Sequence, residues 1–135
     1  MKEETKIIIK YRLNRAKESL KDASNLLNDG SFHSSVNRIY YAMFYSVNAL
    51  LLTRDLSSSK HSGVKSLFFK EFIAVGEIDK QYGKFYSEIF EKRQTGDYED
   101  LIEFKKKDVE IWLKKAEEFV NQIETLTIKI IEKGN

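Results

Sequence analysis

A guanidinium stands where helix geometry calls for an apolar side chain. At 100° per residue, the segment from Tyr82 to Gln94 brings Tyr82, Phe85, Tyr86 and Ile89 to one side, and Arg93 falls among them. An arginine keeps its proton at any physiological pH, so one aimed at a helix–helix seam must meet an acid, a ligand anion or water. Directly after it, Gln94-Thr95-Gly96-Asp97-Tyr98 supplies a helix stop, then an acid and a phenol. Two arrangements satisfy the charge. One is an internal Arg93–Asp97 ion pair that fixes the helix end. The other leaves the guanidinium open to a ligand anion or to water.

A second set of polar residues lies on the preceding long helix. Asn37, Tyr41, Tyr45 and Asn48 recur at steps of four and three beside the apolar arc, with Arg38 next to them. Amides and phenols in such a stripe suit a surface that holds a partner helix or a polar ligand. They equally suit tyrosine bodies buried with their hydroxyls in water. His61, behind a serine-rich loop, is either a general base or a hydrogen-bonding group at a helix start. His33 stands just before the second helix with no such company. Lys105-Lys106-Lys107 is flanked by acids and reads as a solvated helix face. No glycine-rich phosphate loop is present.

These residues need rigid elements to hold them. With no proline and six glycines in 135 residues, the chain reads as helical throughout, its breaks marked by Gly, Ser and Asp. Ile9, Leu13, Ala16, Leu20, Ala23 and Leu27 define a long first helix, stopped by Asn28-Asp29-Gly30. From Ser34 to about Arg54, Val36, Ile39, Tyr40, Met43, Phe44, Val47, Leu50 and Leu51 form an apolar arc. Ala42, Ser46 and Ala49 run beside it as a small-residue strip that admits a close neighbour. Ser57 to His61 reads as a loop, and Ser62 as the cap of a short helix ending near Gly76. The helix of Arg93 follows. A last helix spans about Leu101 to Glu132, with Val109, Trp112, Ala116, Phe119 or Val120, Ile123, Leu126 and Ile130 at helical spacing. The expected architecture is all-α: an up-and-down bundle of four long helices plus one short helix, forming one domain over residues 1–135.

Composition narrows the function. Without cysteine there is no disulfide framework or thiolate metal site, and with only His33 and His61 as imidazoles no metal or other cofactor is expected. No stretch approaches the roughly 18 apolar residues of a membrane span, and the start of the chain lacks a leader-like apolar region, so a cytoplasmic protein is expected. A net charge of +2 from 23 basic and 21 acidic side chains leaves any nucleic-acid contact to local clustering.

Three separated motifs occur in order: Asn37-Arg38-Ile39-Tyr40-Tyr41-Ala42-Met43-Phe44, Lys60-His61-Ser62-Gly63, and Arg93-Gln94-Thr95-Gly96-Asp97-Tyr98. Together they resemble the HEPN domains of prokaryotes over nearly the whole chain. The resemblance implies a helical bundle that pairs as a symmetric homodimer, often encoded beside a minimal nucleotidyltransferase as a toxin–antitoxin module. Many relatives are metal-independent ribonucleases whose signature is an arginine followed, after four to six residues, by a histidine. Here Arg93 matches the arginine, while Asp97 and Tyr98 stand where the histidine would be, and a phenol is a poor proton carrier near pH 7. The expectation is therefore a HEPN-type protein with a polar groove bordered by Arg93, Asp97, Tyr98, Asn37, Arg38, Tyr41 and His61. That groove would hold RNA or a nucleotide. The alternative is a metal-independent endoribonuclease with an atypical Arg-x3-Asp-Tyr motif.

Overall fold

The computed structural model describes residues 1–98 and 102–134, apart from the side chains of 96–98. It is all-helical, with α1 over Glu3–Asn28, α2 over Phe32–Leu52, α3 over His61–Phe68, α4 over Lys80–Tyr98 and α5 over Lys106–Lys133. A π-helical turn, Phe69–Ile73, continues α3. The four long helices pack as an up-and-down bundle, and α2 is its axis, touching α1, α3, α4 and α5.

The sequence explains that centrality. Val36, Ile39, Tyr40, Met43, Val47, Leu50 and Leu51 bury one side of α2, while Ala42, Ser46 and Ala49 are fully buried on the strip beside it. Short side chains allow close packing of α1, whose Ile9 and Leu13 meet Ala49. Ser35 Oγ donates to the Ala23 carbonyl at 2.8 Å and closes the same seam. The α1 stripe departs at one position: Ser19 is buried, and Leu20 only flanks the core.

Each of the first three helical segments ends in the same backbone geometry. At Gly30 (φ 80°), Ser31 N–H donates to Leu26 O and Gly30 N–H to Leu27 O, the paired bonds of a Schellman stop. Gly76 (φ 79°) repeats this after the π turn, with Glu77 and Gly76 donating to Phe72 O and Ile73 O. At the end of α2 the left-handed position is taken by Asp55 (φ 56°), with Leu56 donating to Leu51 O and Asp55 to Leu52 O. The π turn brings Phe69 and Ile73 against α4 at Gly83, where a Cβ would stand 3.0 Å from the Phe69 ring.

Four boundaries differ from the sequence reading, the first being the start of α2 at Phe32, which puts His33 inside that helix. Ser62 does not cap α3: Lys60 occupies that position in extended conformation, and His61 is the first helical residue. The α4 helix passes through Thr95-Gly96 to Tyr98 instead of stopping there; intrahelical bonding overrides the modest cost of one glycine. The last helix starts at Lys106, after extended Lys105. Its register serves both candidates at 119 and 120, since Phe119 and Val120 are both buried.

Candidate functional site

Arg93, Tyr40 and His61 come from three different helices and meet at one spot. Helix α2 supplies Tyr40, whose ring is fully buried. Arg93 of α4 lays its guanidinium carbon 4.7 Å from the Tyr40 ring centroid and 5.8 Å from that of Tyr41. That is the geometry of a cation held by aromatic faces. His61, the first residue of α3, places Nδ1 2.7 Å from the Tyr40 hydroxyl. Its ring stacks on Phe44 at 4.4 Å between centroids and 9° between planes. The imidazole is thus fixed in direction by a hydrogen bond and in plane by a ring.

The loop before α3 makes this seat possible. Gly63 faces Ser58, whose Oγ accepts from the Lys60 N–H at 3.2 Å, and a Cβ at position 63 would overlap the Ser58 side chain. Glycine is required there so that the serine-rich loop can fold over the first turn of α3. This gives the Lys60-His61-Ser62-Gly63 motif a structural reason.

Charge and burial tune the cluster. Burial, and then the Arg93 cation, lower the His61 pKa below its ordinary value of 6.5, so the imidazole is neutral at pH 7. Burial pushes the Tyr40 phenol up to about 12, against the neighbouring Tyr86 hydroxyl and then the Arg93 cation, which both lower it. Tyr86 of α4 lies beneath with its ring centroid 6.1 Å from that of Tyr40. Its pKa is raised well above the ordinary value, first by burial and then by Tyr40. Both phenols therefore keep their protons throughout the physiological range.

Beside this cluster, the Arg38 guanidinium lies 4.8 Å from the Tyr41 ring centroid and donates to Asn37 Oδ1 at 3.0 Å. A surface groove of about 460 Å³ opens next to it, lined by Leu26, His33, Ser34, Asn37 and Arg38. The structure thus brings together Asn37, Arg38, Tyr41, His61 and Arg93. The remainder of the α2 stripe is used elsewhere. Tyr45 accepts a hydrogen bond from Arg15 of α1 at 3.2 Å, and Asn48 donates to the Phe44 carbonyl while its own carbonyl accepts from Arg12. The side chains of Asp97 and Tyr98 lie outside the described residues, as does the Arg93–Asp97 pairing. Helical spacing places Tyr40 and Tyr86 on apolar faces and assigns their hydroxyls no role. Two phenols on buried faces, each needing a partner for its hydroxyl, were the available signal. Among the described residues no group of His, Asp and Glu gathers to hold a metal ion, and no helix is long and apolar enough to cross a membrane.

A helical bundle with a cationic, phenol-lined cluster at the α2–α3–α4 junction is the class that fold and site define. Residues 9–126 match the HEPN domain. The chain is 53% identical over 119 residues to a UPF0332 protein of Thermotoga maritima, covering 88% of this chain and 90% of that one. It is 42% identical over 123 residues to a protein of Methanocaldococcus jannaschii named a putative toxin, covering 90% of this chain and 84% of that one. A second protein of that organism bearing the same description is 33% identical over 116 residues, 86% of each chain. The chain belongs to the HEPN family.

Proposed function

We propose that this HEPN protein is the RNA- or nucleotide-binding component of a toxin–antitoxin-type module, acting as a homodimer with a minimal nucleotidyltransferase as its partner. The convergence of Arg93 and His61 on Tyr40, with Arg38 and Asn37 alongside, carries the reading. Two guanidiniums and an imidazole offer charged and directional donors to phosphate oxygens. Tyr41 offers a face on which a base can stack. The relatives named as toxins support the biological role. Titrating the purified protein with a labelled mixed-sequence RNA and with ATP tests the ligand, and co-purification with the neighbouring gene product tests the partner. Saturable binding that Arg93→Ala removes is the expected result. Light scattering tests the pairing: a monomer at about ten micromolar would remove a groove shared across a two-fold axis.

A second reading, a metal-independent endoribonuclease, draws on His61. The family signature would take its imidazole from α4, and here an imidazole stands beside Arg93 from α3. Incubation with RNA in the presence of a chelator distinguishes the two. Under the binding reading the native protein is silent, and Tyr98→His, which restores Arg-x4-His, gains Arg93-dependent cutting. Vigorous cutting by the native chain would favour the nuclease.

A further inference from the structure

From the hydrogen-bond accounting at Tyr86, Tyr40 and His61 we infer that Tyr40 donates its proton to His61 Nδ1, and that His61 therefore presents Nε2–H as a donor to a phosphate oxygen held jointly with Arg93. The inference rests on the phosphate-binding reading of this cluster and assigns the imidazole its part in it.

Tyr40 and Tyr86 are both fully buried, so each hydroxyl proton needs an acceptor within the protein. The Tyr86 hydroxyl makes no hydrogen bond of full geometry among the described residues. The phenol of Tyr40 is nonetheless near enough to perturb its ionisation. Two protons must be shared among His61 Nδ1, the Tyr40 oxygen and the Tyr86 oxygen. If His61 donated from Nδ1, the Tyr40 proton would have to turn inwards to Tyr86, and the Tyr86 proton would be stranded in the core. If Tyr40 donates to Nδ1 across the 2.7 Å contact, its own proton is satisfied and its oxygen is left available to the Tyr86 hydroxyl, so no arrangement leaves fewer buried protons stranded.

The second arrangement fixes the tautomer. A neutral imidazole whose Nδ1 accepts must carry its proton on Nε2. Such a ring cannot take a proton at Nε2, but it can offer one to an anion. The stack on Phe44 holds the ring plane, and Arg93 packs on the same tyrosine whose hydroxyl meets His61. A point donor and a fork donor gathered at one tyrosine suit the non-bridging oxygens of a phosphate, whether in an RNA backbone or on a nucleotide.

Nitrogen-15 NMR of the uniformly labelled protein at pH 7 reads the tautomer directly, with His33→Gln used to assign the His61 signals. The expected spectrum shows a protonated Nε2 and an accepting Nδ1. In Tyr40→Phe the preference should collapse towards a mixture, and affinity for a short mixed-sequence RNA or for ATP should fall about tenfold. Comparing RNA with ATP separates a backbone phosphate from a nucleotide phosphate as the source of the anion. An Nδ1-protonated tautomer in the native protein overturns the inference, and this holds even if Tyr40→Phe fails to fold. The expected tautomer with no binding of either probe overturns the phosphate role and the binding reading together, leaving only the direction of the hydrogen bond.

Discussion

Tyr41 and Tyr45 lie one turn apart on α2, each beneath a guanidinium, yet their surroundings differ in kind. Over Tyr45 the cation is Arg15 of α1, 5.1 Å from the ring centroid. It donates to the phenol oxygen and pairs with Glu18 at 3.3 Å, at the solvent edge of the α1–α2 seam. An acid and a hydroxyl already answer its charge. Over Tyr41 stand Arg38 and Arg93, in a neighbourhood that also holds a neutral imidazole and a fully buried phenol. The first set is a surface latch between two helices. The second places fixed donors at the junction of three helices. Residue type and helical spacing are alike in both, so the difference comes from what the other helices bring.

The largest effect that separates the two regions is on binding. Arg93→Ala should weaken RNA or ATP binding by about thirtyfold to a hundredfold, the scale of a lost charge-assisted contact. Arg15→Ala should leave binding within about twofold, as befits an exposed pair. Urea unfolding of the same variants sharpens the result. Arg93→Ala should cost about 1 kcal/mol, whereas a loss of roughly 3 kcal/mol with unchanged binding would make Arg93 half of a buried ion pair.

Gly63→Ala comes next. The added methyl meets Ser58, so the loop must shift and carry His61 with it. A stability loss of about 1–3 kcal/mol is expected, accompanied by weaker ligand binding. Thermal melts and titration of the same sample check both, and an unaffected affinity would detach His61 from the site.

A smaller effect should appear with pH. Because the folded protein holds the His61 pKa below 6.5, the unfolded chain takes up that proton first as pH falls. The contribution of the neutral imidazole is complete above 6.5 and is lost as pH falls from there through the lowered folded value. Denaturation midpoints between pH 7.5 and 5 should therefore decline more steeply in the native protein than in His61→Gln. Parallel curves would show that His61 titrates as it does in the unfolded chain.

The smallest effect lies away from both regions. Asp55 holds a left-handed conformation that glycine adopts without strain, so Asp55→Gly should gain about 0.5–1 kcal/mol and leave binding untouched. A loss of stability would mean that the aspartate side chain contributes more than its backbone strain costs.

Much of the fold was legible because burial repeats with helical period. Ile9 through Leu27, the α2 arc and Val109 through Ile123 each announce a helix, and most of each expected face is buried; Leu20, Phe44 and Trp112 only flank the core, while Ser19 and Leu113 are buried in addition. Boundaries were less legible, since Gly96 and Ser62 are punctuation by type but interior residues by context. Arg93 was conspicuous because a charge interrupts an apolar period. Tyr40 was not, because a phenol fits that period and shows its hydroxyl's role only once His61 arrives from another helix. The α2 stripe divided for the same reason: periodicity places Tyr45 and Asn48 beside Tyr41, but only the path of α1 decides that they serve Arg15 and Arg12.

The π turn at Phe69–Ile73 has a consequence for how the family can vary in length. Its wide loop of backbone, closed by Ala74 N–H donating to Phe69 O at 2.8 Å, holds one residue more than an α-helix would over the same rise. It is therefore a place where the chain can give up a residue and relax to ordinary helical winding. Exposed Lys70, within the turn, is the residue whose removal disturbs the core least. Single-residue gaps between this chain and its relatives should gather there, leaving the spacing within the Arg38, His61 and Arg93 motifs intact.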